Sequence, residues 1–266
     1  MVKLQNNLKS ILFFLAFLSF ALISPTKVEA FEISTQCPNR YLTLVNPVRD
    51  RSLWMDRRLE PLKQQYNDIN KYLFPATWLL QYDTFDDIDL INEIKSFDSK
   101  QEKGIFLEVS RKLTFDSGIA YPIYLRWSDP GAVFLSAYSQ SERRKLIDVA
   151  FEEYKKIFET YPKSVGAWWI DSYSLDYMVS KYHIKAVLIV ADQKVTDSYG
   201  VWGQWWGFAY KPSKANILAP ASNDNNLENV VILQWAQRDP VRAYGEGPVY
   251  SNFSLQANDY IRSGKN

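Results

Sequence analysis

Short, almost uninterrupted apolar runs alternate along this chain with longer segments whose apolar residues recur every three or four positions. The runs cover residues 41–45, 76–82, 104–109, 165–170, 186–191 and 230–235. Between them Leu59, Leu62, Tyr66, Ile69 and Leu73 form one helical stripe, Leu90, Ile91, Ile94 and Phe97 a second, and Ile147, Phe151, Tyr154, Phe158 and Tyr161 a third. Thr84 with Asp87, and Ser139 with Glu142, have capping-box spacing at two helix starts, and residues 175–182 suit a short helix. Strands too apolar to alternate are buried on both faces, which means parallel strands covered by helices. The expected fold is therefore α/β, a parallel β/α barrel of about seven strands. A doubly wound open sheet is the alternative, because periodicity does not distinguish closure from openness. No internal repeat or Gly/Ser linker interrupts residues 31–266, which read as a single domain.

The first thirty residues stand apart. Lys3 and Lys9 precede an apolar run from Ile11 to Ile23, and Val28-Glu29-Ala30 offers small residues at a peptidase site. The run is shorter than the ~20 residues a spanning helix needs, so a secretory signal cleaved after Ala30 is expected, with a membrane reached only if that segment stays as an anchor. A secreted or envelope location follows. Cys37 lacks the residues that precede a lipid-modified cysteine and reads as a free or intermolecularly paired thiol, and Asn252-Phe253-Ser254 is a glycosylation sequon. The chain ends soon after its last helix-like stretch, which suits a fragment lacking a following domain.

Composition narrows the chemistry. Lys+Arg 31 against Asp+Glu 30 provides no basic field for a nucleic acid. With one histidine, His183, and one cysteine, Cys37, a zinc site of His and Cys ligands is excluded, and a catalytic triad would have to use His183. Carboxylates are left as the agents of any chemistry, and no cofactor is required. Aromatic residues make up 15%, with 9 Trp, 17 Tyr and 15 Phe, enough to fill a core and also face a sugar.

In parallel α/β folds ligands sit at the carboxyl ends of the strands. Those ends carry Asn46 and Arg49, Gln81 and Asp83, Glu108, Asp171, Asp192 and Gln193, and Gln234 with Asp239. Any one of them also suits a turn or a helix cap, and Asp86 and Asp87 are read as first-turn residues. Glu108, between Leu107 and Val109, and Asp171, after Trp168-Trp169-Ile170, are embedded in apolar strands. A carboxyl group beside tryptophan has its charged form disfavoured, which suits a general acid. Two such groups across a pocket are the minimum for glycoside hydrolysis. Asp171 is the prime catalytic candidate, with Glu108, Asp192 or Asp239 as partner.

Residues 192–214 connect the fifth run to the last and hold six aromatics between Tyr199 and Tyr210, spaced by glycines at no regular period. Trp202, Trp205 and Trp206 are expected to form a sugar-binding wall, hydrogen bonds coming from Asp197, Gln204 and Lys211, and Trp168 is a further substrate-binding candidate. A hydrophobic plug over the barrel is the other reading of this loop.

Residues 76–83 (Ala-Thr-Trp-Leu-Leu-Gln-Tyr-Asp), 104–109 (Gly-Ile-Phe-Leu-Glu-Val) and 166–171 (Gly-Ala-Trp-Trp-Ile-Asp) resemble secreted bacterial proteins of the glycoside hydrolase/deacetylase β/α-barrel superfamily. So does Asp192-Gln193 with Thr196-Asp197 and Trp202-Gly203, and the likeness covers most of residues 41–245. It implies a barrel of about seven strands, a poly- or oligosaccharide at the rim, and catalytic carboxylates on the fourth and last strands, hence Asp171 and Asp239 or its neighbours. Polysaccharide deacetylases of that superfamily hold a metal with one Asp and two His. This chain departs from that pattern, which favours a metal-independent glycosidase over a deacetylase-like enzyme. A non-catalytic glycan-binding envelope protein is the rival from another class.

Overall fold

The computed structural model describes residues 43–53, 58–126, 129–190, 192–193, 201–202 and 206–235. The expected signal segment, Cys37, the Asn252 sequon and Asp239 lie outside them. Chain order runs β1 (Val45–Val48), α1 (Glu60–Lys71), β2 (Ala76–Gln81), α2 (Ile88–Ser96), β3 (Gln101–Phe106), α3 (Arg111–Asp116), α4 (Pro130–Val133), α5 (Gln140–Phe158), β4 (Ser164–Gly166), α6 (Ser172–Tyr182) and β5 (Ala186–Val190). A two-residue antiparallel pair follows, β6 (Asp192–Gln193) with β7 (Val201–Trp202), and then β8 (Val231–Trp235).

Six strands pair in parallel in the order β1-β2-β3-β4-β5-β8 and form a curled half-barrel. A doubly wound sheet reverses its strand order at a switch point. Here the order never reverses, so the open-sheet alternative is replaced by the barrel-like one. Side-chain alternation agrees with this. Trp78, Leu80, Ile105, Val165, Val187, Ile189 and Ile232 share one core with Leu90, Ile94, Ile147, Phe151, Leu175 and Met178 of the helices. The intervening strand positions, Val45, Leu79, Phe106, Leu188, Val190 and Trp235, join Trp168 in a second cluster with Val133 of the short α4 and Phe134 after it. The longer helices thus cover one face of the sheet, and the other face, on which the short α4 packs, is the inside of the half-barrel.

Local chemistry explains the element ends. Ser139 and Glu142 close the expected capping box on α5, the Glu142 carboxylate accepting from the Ser139 N–H at 2.8 Å. On α2 the expected Thr84 start is corrected to Asp87, whose side chain accepts from the Leu90 N–H at 3.1 Å. The Thr84 hydroxyl instead donates to the Gln81 carbonyl at 2.7 Å within a 3-10 turn, Tyr82–Asp86. Leu73, expected on the α1 stripe, lies past the helix end with φ 56° and is exposed.

Gly104 is required by a close approach between strands. A Cβ built there would stand 2.5 Å from the backbone carbonyl of Ser164 on β4. A backbone oxygen in a sheet cannot swing aside, so Gly104→Ala is expected to cost about 1–3 kcal/mol in urea denaturation.

Residues 206–230 return the chain to β8 along the helix-covered face. Tyr210 bridges Ile232, is buried, and its hydroxyl donates to the Ile217 carbonyl at 2.8 Å. Glu228 in this segment is 5% exposed, and its Oε2 has no hydrogen-bond partner. Burial, and then the carboxylate of Asp176, push the Glu228 carboxyl up from its ordinary value. The folded chain therefore holds this proton more tightly than the unfolded one, and stability falls as pH rises through the folded-state value. Glu228→Gln is expected to raise the melting temperature at pH 7 by a few degrees, a gain that vanishes below about pH 4, where both states are protonated. An unchanged or lowered melting temperature at pH 7 would contradict this.

Candidate functional site

Four successive strand ends converge on one carboxylate. Arg49 follows β1, Gln81 ends β2, and Glu108 and Trp168 lie two residues beyond β3 and β4. Each continues the inward parity of its strand, as Leu79 leads to Gln81 and Phe106 to Glu108. The Arg49 guanidinium grips Glu108 with both arms, Nε to Oε2 at 2.8 Å and Nη2 to Oε1 at 2.5 Å. Gln81 Nε2 adds a third donor at 3.1 Å, and the Trp168 indole N–H a fourth. The Arg49 guanidinium carbon lies 5.5 Å from both the Phe106 and the Trp168 ring centroids.

Four donors fill the roughly four acceptor positions of a carboxylate. Glu108 is 2% exposed. It is held as an anchor under the rim, with no lone pair left for a substrate proton. Trp168 is itself buried and packs on Trp235 at 5.1 Å. It supports the site from beneath, and only the part-exposed Trp169 and Trp235 of this cluster present ring surface outward.

The other expected residues divide sharply. Asp171 is the N-cap of α6, accepting from the Ser174 N–H at 2.9 Å and hydroxyl at 2.7 Å and from Arg143 Nη1 at 3.0 Å. Its oxygens are engaged as a cap and an ion pair. Asn46 belongs to the opposite parity and faces α1, where Gln65 Nε2 donates to it at 2.5 Å. Gln234 Oε1 accepts from the Trp206 N–H at 2.9 Å, while the Trp206 indole donates to the Leu218 carbonyl at 2.8 Å. Trp206 packs against the helix-side core, whereas Trp168 lies in the inner-face cluster, so the two do not form one wall. Of Asp192, Gln193 and Trp202 the backbone alone is described, and Asp197, Gln204 and Trp205 lie outside the described residues.

Beside the Glu108 anchor, where β1 and β2 end, an open groove of 440 Å³ is lined by Asp50, Asp83, Asp86, Asp87, Arg51 and Lys112 among others. Arg51 bridges Asp87 at 2.6 Å and 2.7 Å, holding its carboxyl below the usual range, and Lys112 pairs with Asp86 at 3.0 Å. The Asp50 N–H donates to Gln81 Oε1 at 3.2 Å, which links the groove wall to the anchor. Asp83 differs from its neighbours, because its Oδ2 is buried without a hydrogen-bond partner. Desolvation pushes its carboxyl up, with Asp50 adding to the effect and Ser110 and Lys112 opposing it. Asp50 was not anticipated from sequence, although it directly follows the rim residue Arg49.

His183 ends α6 in a left-handed conformation, three residues before β5 begins. That is the end of the sheet opposite the rim. Among the described residues no group of three His, Cys, Asp or Glu side chains could hold a metal ion, so these residues do not fit the deacetylase metal set. No described helix is long and apolar enough to cross a membrane.

No family model matches the chain, and no curated relative is similar to it in sequence. Among solved structures the fold is similar to one described as a "putative glycoside hydrolase/deacetylase" from Parabacteroides distasonis. The TM-score is 0.50 and the identity 15% over 77% of this chain, which spans 47% of the length of that structure. The likeness is one of fold.

Proposed function

We propose that the protein acts on poly- or oligosaccharides outside the cytoplasm, hydrolysing glycosidic bonds without a metal at the carboxyl ends of its strands. The carrying observation is the juxtaposition of a rigid Arg49–Gln81–Glu108 anchor with an open, carboxylate-lined groove at the same strand ends. Such groups hydrogen-bond hydroxyls, and the fold likeness to a protein described as a glycoside hydrolase/deacetylase supports a carbohydrate. Export rests on the signal-like residues 1–30. With Glu108 and Asp171 held in ion pairs, the chemistry falls to Asp83, to Asp192 directly after β5, and to Asp239 in the stretch beyond β8. Purified protein is expected to release reducing ends from at least one member of a polysaccharide library, with no loss on adding chelator. No release from any member, or release abolished by chelator, would contradict this reading.

A second reading is favoured by the engagement of every Glu108 and Asp171 oxygen: a glycan-binding protein without turnover. Saturable binding of a glycan that is never cleaved would select it.

A further inference from the structure

We infer that Asp83 is the proton donor of the rim site, delivering its proton from the wall of the groove to the leaving oxygen of the substrate. The inference rests on the hydrolytic reading above and assigns its acid. Among the described carboxylates expected at the rim, Glu108 receives four donors and Asp171 three. Within the groove, Asp87 and Asp86 are held by Arg51 and Lys112, and Asp50 accepts from the Ser52 N–H and hydroxyl. Asp83 alone of these has a buried oxygen, Oδ2, without a hydrogen-bond partner, while the residue still lines the groove. Burial disfavours its charged form and the Asp50 carboxylate adds to this, outweighing the Ser110 hydroxyl and Lys112 that favour it. These conditions keep a carboxyl group neutral at a pH where exposed aspartates are ionised.

The position is set by the fold. Asp83 lies two residues beyond Gln81, whose side chain joins the Glu108 anchor on one side and the Asp50 N–H on the other. Asp83 is thereby placed close in the chain to a residue fixed by hydrogen bonds at both ends of its amide. In the step, the glycosidic C–O bond breaks as the Asp83 proton passes to the leaving oxygen. Water adds its hydroxyl to the anomeric carbon, its remaining proton leaves to solvent, and Asp83 is reprotonated from solvent.

The test uses the full chain on a glycan that the wild type cleaves. Asp83→Asn, with an unaltered thermal melt, is expected to lower kcat by ~10²-fold or more. Asp83→Glu should recover part of the rate with a shifted basic limb of the pH profile. In carboxyl-¹³C spectra, the aspartate resonance missing from Asp83→Asn should titrate above the ordinary value of about 3.9. Hydrolysis by Asp83→Asn within threefold of wild type, or titration of that resonance at or below the ordinary value, would overturn the assignment alone. Absence of hydrolysis by the wild type would instead overturn the reading on which it rests.

Discussion

Replacing Arg49 by alanine is expected to destabilise the fold by about 3–5 kcal/mol, because Glu108 would be left buried without its charge partner. Glu108 is 2% exposed and the Arg49 side chain 14% exposed, so neither water nor salt can substitute for the pair. The deficit should be smaller in the double variant Arg49→Ala/Glu108→Gln, where a neutral amide replaces the stranded carboxylate. Arg49→Lys should fall between, since an ammonium cannot reproduce the two-armed grip at 2.8 Å and 2.5 Å. Urea denaturation of the three variants measures this directly. A loss below 1 kcal/mol in Arg49→Ala would show that the anchor is not held by the ion pair.

Trp168→Ala is expected to cost a similar amount, about 3–5 kcal/mol, by a different route. The ring is buried among Phe106 and Trp235, and its removal leaves a void on the inner face. It also removes one of the four donors to Glu108. Trp168→Phe keeps one aromatic ring in place and loses the N–H together with part of the indole's buried volume, at an expected cost of about 1–3 kcal/mol. If the phenylalanine variant is as unstable as the alanine variant, the indole N–H and the ring edge that carries it outweigh the packing that phenylalanine retains. If both are as stable as wild type, the inner cluster is not part of the cooperative core.

The fold was legible because parallel strands buried on both faces write themselves as apolar runs. The runs at 76–82 and 186–191 correspond to β2 and β5 within one residue at each end. The run at 104–109 is displaced, since β3 begins at Gln101, whose polar side chain is buried by bonds to the Trp78 indole and the Phe74 carbonyl. A buried glutamine with tertiary partners carries no signal in hydropathy. At the site, Arg49, Gln81, Glu108 and Trp168 were identifiable as residues following strand ends, and they do meet. Asn46 fails by one residue of parity, which turns a strand side chain to the other face. Asp171 shows the ambiguity of aspartate after a strand. The same position serves a catalytic group or a helix cap, and the serine three residues on, with Arg143 from the neighbouring α5, made it a cap. Trp206 and Tyr210 obey no period yet belong to the core, because a return segment packs through tertiary bridges rather than a repeating stripe.

The claim that the rim over Glu108 is the working surface is tested most directly by locating bound sugar. A crystal structure with an oligosaccharide that the protein binds is expected to show a ring in the groove beside Asp50 and Asp83, with the Arg49–Glu108 pair intact beneath it. Sugar bound at the His183 end of the sheet or on the outer helices, with the groove empty, would contradict the account.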